Sequence, residues 1–162
     1  VNSLLQNMDE YCQNGILIAA TNHHELLDSA IWRRFQTVIE MPKPELAEVA
    51  SMIKNMPEFI DVSQIKPGQW KKVYDALLGL SYSDIKNILN NMVKKLVLKD
   101  ENKVKFTDIL VEAYLFKNHG NYTMEQMVQY MIGHGVSQKQ ASLYFNVSTR
   151  QIKNCLERSE KN

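Results

Sequence analysis

The sequence is short of every residue type that would fix its class at once. Its 162 residues hold two cysteines, four prolines and six glycines. Cys12 and Cys155 stand far apart and flank no metal-type spacing. Two free thiols in a reducing, cytoplasmic compartment are therefore expected, and no metal. So few prolines and glycines exclude a collagen-like repeat or a low-complexity chain. Long apolar runs are missing as well: the longest, Ile16–Ala20, falls far short of the ~20 residues a membrane span needs. No basic-then-apolar leader opens the chain, so neither export nor a membrane partner is expected. An excess of one charge sign is absent too, the net charge being +1.

What remains is ordinary folded-protein material, 44% hydrophobic and 23% charged, enough for one domain or two to three small ones. The chain begins at Val1 inside a helical pattern, and so reads as a piece of a longer protein. Charge divides unevenly along it. Residues 1–42 carry two Arg against five acids, a balance of −3. Residues 43–136 carry twelve Lys against eleven acids, and residues 137–162 five basic residues against two Glu, giving +1 and +3. The basic C-terminal segment permits an anionic partner there.

Val1, Leu4, Leu5 and Met8 recur at the spacing of one helix face, and Asn14-Gly15 ends that helix with turn chemistry. Ile16–Ala20 reads as a strand buried on both faces of a parallel sheet. Asp28 is placed to cap a short helix through Phe35, and Thr37–Met41 reads as a second strand. Helix, strand, helix, strand is the grammar of a parallel α/β sheet. Pro42-Lys43-Pro44 then fixes an extended joint. Beyond it the pattern is all-helical, with helices expected over Glu45–Asn55, Gln69–Leu78, Ser81–Lys99 and Phe106–Lys117. Asn118–Asn121 reads as a linker, and three short helices are expected across Thr123–Ser159. The apolar stripe Ile85, Ile88, Leu89, Met92, Val93, Leu96 makes the third of these helices the clearest, with Ser81 as its cap and Asp84 at the positive end of its dipole.

Thr21-Asn22 stands at the carboxyl end of the first expected strand, the edge at which open α/β sheets bind ligands. Taken with Leu4–Asp9, Ile18–Asn22, Leu27-Asp28, Arg33-Arg34-Phe35 and Pro42-Lys43-Pro44, it resembles the second half of an AAA+ ATPase module. Gly79–Ile85 is similar to the segment that starts a helix of that family's lid. The resemblance covers roughly residues 1–116. It implies a parent ATPase that forms a ring and uses ATP and Mg²⁺. It implies that Asn22 orients the water attacking the γ-phosphate, and that Arg33 and Arg34 reach a neighbouring subunit's nucleotide as arginine fingers. It further implies that Gly79, Ser81, Ser83 and Asp84 approach the nucleotide from the lid. His23-His24 depart from the residues usual after the sensor Asn. No G-x-x-x-x-G-K-[ST] phosphate loop occurs anywhere in the chain, so on its own it is expected neither to hydrolyse ATP nor to bind it tightly.

Read singly, these residues have plainer roles. Asn22 alone would cap a turn, and Arg33-Arg34 alone would be surface charge on buried stems. Met8, Met92, Met124, Met127 and Met131 read as core filler. His23 and His24 are adjacent, point apart on regular backbone, and do not make a metal site.

The last forty residues carry a second pattern. Ser137–Gln140 and Ser148–Gln151 are both S-x-x-Q capping boxes. Their spacing forces a short helix over Gln138–Phe145, a tight turn at Asn146-Val147, and a second helix. Asn146 stands where such a turn usually has Gly, and Ser142 is the small residue at the helix crossing. The final helix buries Ile152, Cys155 and Leu156 and presents Arg150, Lys153 and Asn154 on its other side. This resembles a helix-turn-helix whose recognition helix starts at Thr149, with Thr149, Arg150, Gln151, Lys153 and Asn154 available to duplex DNA through 137–158. The same pattern also serves as a protein-docking or oligomerisation cap.

The expected fold is thus mainly α: a remnant of a parallel α/β P-loop NTPase sheet over 1–42, a helical lid over 43–117, and a three-helix appendage over 118–162. The expected function is that of an ATP-driven ring remodeller or loader, self-associating and DNA-associated. The alternatives are a non-enzymatic helical adaptor, or an AAA+ protein unfoldase whose appendage docks a protein.

Overall fold

The computed structural model describes residues 2–159, and it separates into two compact units that meet in sequence at Pro42 and Lys43. Among the described residues there are nine α-helices, one 3₁₀ turn and no strand.

In the first unit, α1 spans Asn2–Asn14 and α2 spans Ser29–Trp32, with the 3₁₀ turn His24–Leu26 between them. Along α1, Met8 is buried and Leu5 half-buried; the side chains of Val1, Leu4 and Cys12 lie outside the described residues. Asp28 caps α2, its Oδ1 accepting from the Ala30 amide at 2.8 Å. The two expected strands are not formed. Ile16–Ala20 and Thr37–Met41 have no ladder partner among the described residues, and Ile16, Ile18, Ile39 and Met41 are exposed. The physical reason is that a strand's backbone bonds are made by its neighbours, and an apolar run alone supplies no acceptor or donor opposite it.

The second unit is helical: α3 (Leu46–Lys54), α4 (Pro67–Leu77), α5 (Tyr82–Leu98), α6 (Phe106–Lys117), α7 (Met124–Gly133), α8 (Gln138–Phe145) and α9 (Thr149–Ser159). Pro67 starts α4 two residues before the expected Gln69, because a proline suits the first helical position, where no amide is needed. The centre of the unit is α6, which packs against α4, α5 and α7. Phe106, Ile109, Leu110, Val111 and Ala113 are all buried on it. A helix apolar on nearly every side is stable only when surrounded. The core runs without a break from Val49 and Ile53 of α3 through the α5 stripe to Met127 and Met131 of α7 and Ile152 of α9.

Two long-range ties complete the unit. The Asp61 amide donates to the Asn102 carbonyl at 2.7 Å and the Val104 amide to the Asp61 carbonyl at 2.9 Å, a single parallel bridge that joins two loops. Glu112, buried on α6, pairs with Lys95 of α5. No helix among the described residues is long and apolar enough to cross a membrane.

Candidate functional site

The structure divides the expected nucleotide-facing residues between its two units: Asn22, Arg33 and Arg34 in the first, Gly79, Ser81, Ser83 and Asp84 in the second. Asn22 lies in the exposed bend after Ile16–Ala20. Beside it, Thr21 Oγ1 accepts from the His23 amide at 3.0 Å, which shapes the bend around the asparagine.

The two adjacent arginines are not equivalent. Arg33 closes α2 and is exposed. Arg34 is half-buried and grips Asp9 of α1 as a two-pronged fork, Nε to Oδ1 at 2.7 Å and Nη2 to Oδ2 at 2.9 Å. Its Nη1 donates to the Ala30 carbonyl at 2.9 Å. Hydrogen bonding to the Arg34 guanidinium holds the Asp9 carboxyl below its ordinary pKa. Sequence reasoning missed Asp9 as a partner, since nothing local links positions 25 residues apart.

In the second unit, Leu78 and Gly79 are the central residues of a tight turn. Leu78 has φ −53° and ψ 135°, Gly79 has φ +81°, and the Leu80 amide donates to the Leu77 carbonyl at 3.2 Å. A type II turn requires positive φ at its third residue, so a glycine belongs there on backbone grounds. Ser81 then caps α5: its Oγ accepts from the Asp84 amide at 3.2 Å, while Asp84 Oδ2 accepts from the Ser81 amide at 3.1 Å and hydroxyl at 2.8 Å. Ser81 and Asp84 thus hold each other, and Ser83 is exposed on the first turn.

At the C-terminal end, Thr149, Arg150, Lys153 and Asn154 are exposed on α9, while Ile152 and Cys155 are buried and Leu156 half-buried. Gln151 is engaged with Ser148, accepting from its amide at 2.9 Å and hydroxyl at 3.0 Å. Asn146 adopts the left-handed conformation, φ 53° and ψ 45°, between α8 and α9. The small residue buried on α8 is Ala141; Ser142 is instead half-buried and donates from its hydroxyl to the Val147 carbonyl, closing the turn.

Arg33 can offer a guanidinium to phosphate oxygens, but no phosphate-cradling loop motif is present in the sequence. No group of three or more His, Cys, Asp or Glu that could hold a metal ion occurs among the described residues.

Comparison with known proteins decides the family. Residues 1–43 match the model of the ATPase family associated with various cellular activities, AAA. This chain belongs to the AAA family of ATPases. It is 33% identical over 112 residues to an uncharacterized AAA family ATPase, y4kL, of Sinorhizobium fredii, covering 67% of this chain and 32% of that protein. It is 30% identical over 119 residues to the ATP-dependent zinc metalloprotease FtsH of Staphylococcus haemolyticus, covering 67% and 15%. A putative 26S proteasome regulatory subunit homolog of Methanothermobacter marburgensis is 37% identical over 108 residues, covering 63% and 27%. The chain therefore spans about a third or less of the length of these relatives. Alignments of this length cannot fit within residues 1–43, so the AAA likeness continues into the helical unit. No solved structure matches the chain.

Proposed function

We propose that this chain supplies the arginine edge and helical lid of an ATP-driven, ring-forming AAA machine of the cytoplasm, a remodeller or loader. In this reading residues 1–42 are part of the α/β nucleotide-binding core, 43–117 the lid, and 118–162 an appendage that handles substrate. The observation that carries it is the exposed Arg33, at the end of a capped helix inside the stretch that matches the AAA family. A guanidinium so presented is available to a second subunit. There it offsets the charge that develops on the transferred phosphoryl group, while Asn22 orients the attacking water at its own subunit's nucleotide. In this reading Gly79, Ser81, Ser83 and Asp84 are where the lid approaches its own subunit's nucleotide. The test is made in the assembled parent protein. Arg33→Ala should leave nucleotide binding intact and cut turnover by about 10³, as removal of an arginine finger does elsewhere. Near-normal turnover would dismiss the assignment.

A second reading concerns the appendage, and the exposed face of α9 favours it. Arg150, Lys153 and Asn154 are exposed while Ile152 and Cys155 are buried, so the polar face is available without unpacking the helix. In this reading 137–158 holds duplex DNA, with the N-terminal end of α9 entering a groove and Thr149 and Gln151 beside the backbone. Binding by a single copy falls in the roughly 10⁻⁴–10⁻⁶ M range of non-specific association. Arg150→Ala combined with Lys153→Ala should weaken it and flatten the salt slope by about two units. Equal binding by wild type and double variant would reassign the appendage to protein docking, as in an unfoldase or adaptor.

A further inference from the structure

Three of the chain's six glycines meet at one cleft in the helical unit, together with two lysines and a histidine. The cleft, about 440 Å³, lies between one face of α4, from Gly68 to Asp75, and the turn that ends α7. From α4 come Lys71, Lys72 and Asp75; from the turn comes His134, flanked by Gly133 and Gly135. From these observations we infer that this cleft is a phosphate-binding site, separate from the nucleotide-facing residues and from the polar face of α9.

The argument begins with Lys72. It is half-buried, and its Nζ lies 3.5 Å from the Gly135 carbonyl, a long contact that leaves its other ammonium protons to a ligand. Its head lies against the turn opposite. A Cβ on Gly135 would stand 1.9 Å from Lys72 Nζ and 2.8 Å from its Cε, so a side chain there would push the flexible end of the lysine out of its present place. Gly135 also has φ +77°, and the Val136 amide donates to the Met131 carbonyl at 2.9 Å, the pattern that closes a helix through a left-handed residue. The turn therefore favours a glycine for its own backbone, and that glycine leaves room for the lysine.

His134 is held as firmly. Its Nδ1 lies 2.9 Å from the Tyr130 carbonyl, and because a carbonyl only accepts, that nitrogen carries the proton. Its ring rests on the Tyr130 ring at 4.1 Å between centroids. That leaves Nε2 outside the bond. Gly68 and Gly133, by contrast, have nothing within 4 Å of where a Cβ would stand, so a ligand can approach their backbone closely.

The charge balance names the ligand. Two ammonium groups face one carboxylate, Asp75, with an imidazole beside them, so the cleft favours an anion over a cation or an apolar group. Its volume lies within the ~300–1,000 Å³ of small-molecule sites. Oxygens that accept from several donors at once, as a phosphate's do, fit the cleft's two ammonium groups, while the Gly135 amide is spent within its own turn on the Ile132 carbonyl at 2.8 Å. The phosphate has two sources, a free phosphoryl compound or the phosphodiester backbone of a nucleic acid.

The experiment titrates the full chain with inorganic phosphate and pyrophosphate, and separately with a dodecamer DNA duplex, following the amide resonances of Gly68, Gly133 and Gly135. Saturable shifts at these glycines with the free phosphates identify a small phosphoryl ligand; shifts with the duplex alone identify a phosphodiester. Lys71→Gln with Lys72→Gln should weaken binding about tenfold or more, the loss expected for charged hydrogen bonds. Asp75→Asn should strengthen it, a direction that mere damage to the fold does not produce. The pair Arg150→Ala and Lys153→Ala should leave phosphate binding unchanged, which keeps this site apart from the proposed DNA face of α9. No shift at the three glycines with any probe, or equal affinity in the lysine double variant, overturns the proposal.

Discussion

Arg33 and Arg34 are adjacent in sequence, yet only one of them is gripped by a carboxylate of its own unit through both prongs. Asp9 therefore titrates below its ordinary pKa, because protonating it breaks two charged hydrogen bonds. A depressed folded-state pKa contributes stability that is fully present above the unfolded carboxylate value and is lost as pH falls through the folded one. A carboxyl-detected NMR titration should find Asp9 low in the wild type, and Arg34→Ala should return it toward the ordinary value while Arg33→Ala leaves it in place. An unmoved Asp9 in Arg34→Ala would mean the fork does not persist in solution. Asp108 shifts the opposite way, raised chiefly by burial at the start of α6, although the Lys105 amide donates to it at 2.8 Å. Its ionised form costs stability fully above the raised value, and that cost is relieved as pH falls. Asp108→Asn keeps an acceptor for the Lys105 amide and removes the charge. Urea unfolding should then lose less stability than the wild type as pH rises through the carboxylate range, and an identical pH profile would count against it.

Helix ends decide much of the second unit, and they are where sequence and structure agree most closely. The boxes at Ser81, Ser137 and Ser148 use residues three apart, so their chemistry is local and visible in a string of letters. Ser81→Ala should lower stability by about 1 kcal/mol, read as a shift in the thermal unfolding midpoint; no shift would mean water replaces the cap. Asn146 gives a sharper case. Asn146→Gly should be neutral or mildly stabilising, whereas Asn146→Ile should cost on the order of 1–2 kcal/mol, because a β-branched residue resists the left-handed conformation. Equal stability of the two variants would show that the turn relaxes to another geometry. What the letters did not yield was non-local. The Asp61–Lys103 bridge, the Asp9–Arg34 fork and the Lys72–Gly135 approach each join residues remote in sequence. Ile16–Ala20 and Thr37–Met41 have strand composition and form no strand, because ladder bonds depend on segments that composition does not describe.

Across the whole molecule, the two units differ in how much each protects. The helical unit shares one continuous core from α3 to α9. In the first unit, Ile16 and Ile18 are 93% and 87% exposed. Amide exchange of residues 16–20 in this chain should accordingly be fast, while the amides of α5 and α6 exchange only through global unfolding. Strong protection of 16–20 would require pairing with a further segment or a second copy, and analytical ultracentrifugation would separate the two. The buried Cys155 has a consequence of its own. Its thiol sits between α9 and the core, and burial pushes its pKa above the ordinary range. A thiol reagent reaches it chiefly when α9 lifts away. In a Cys12→Ser background, the maleimide labelling rate of this one sulfur becomes a clock for that lifting, and anything that seats on the last helix should slow the clock.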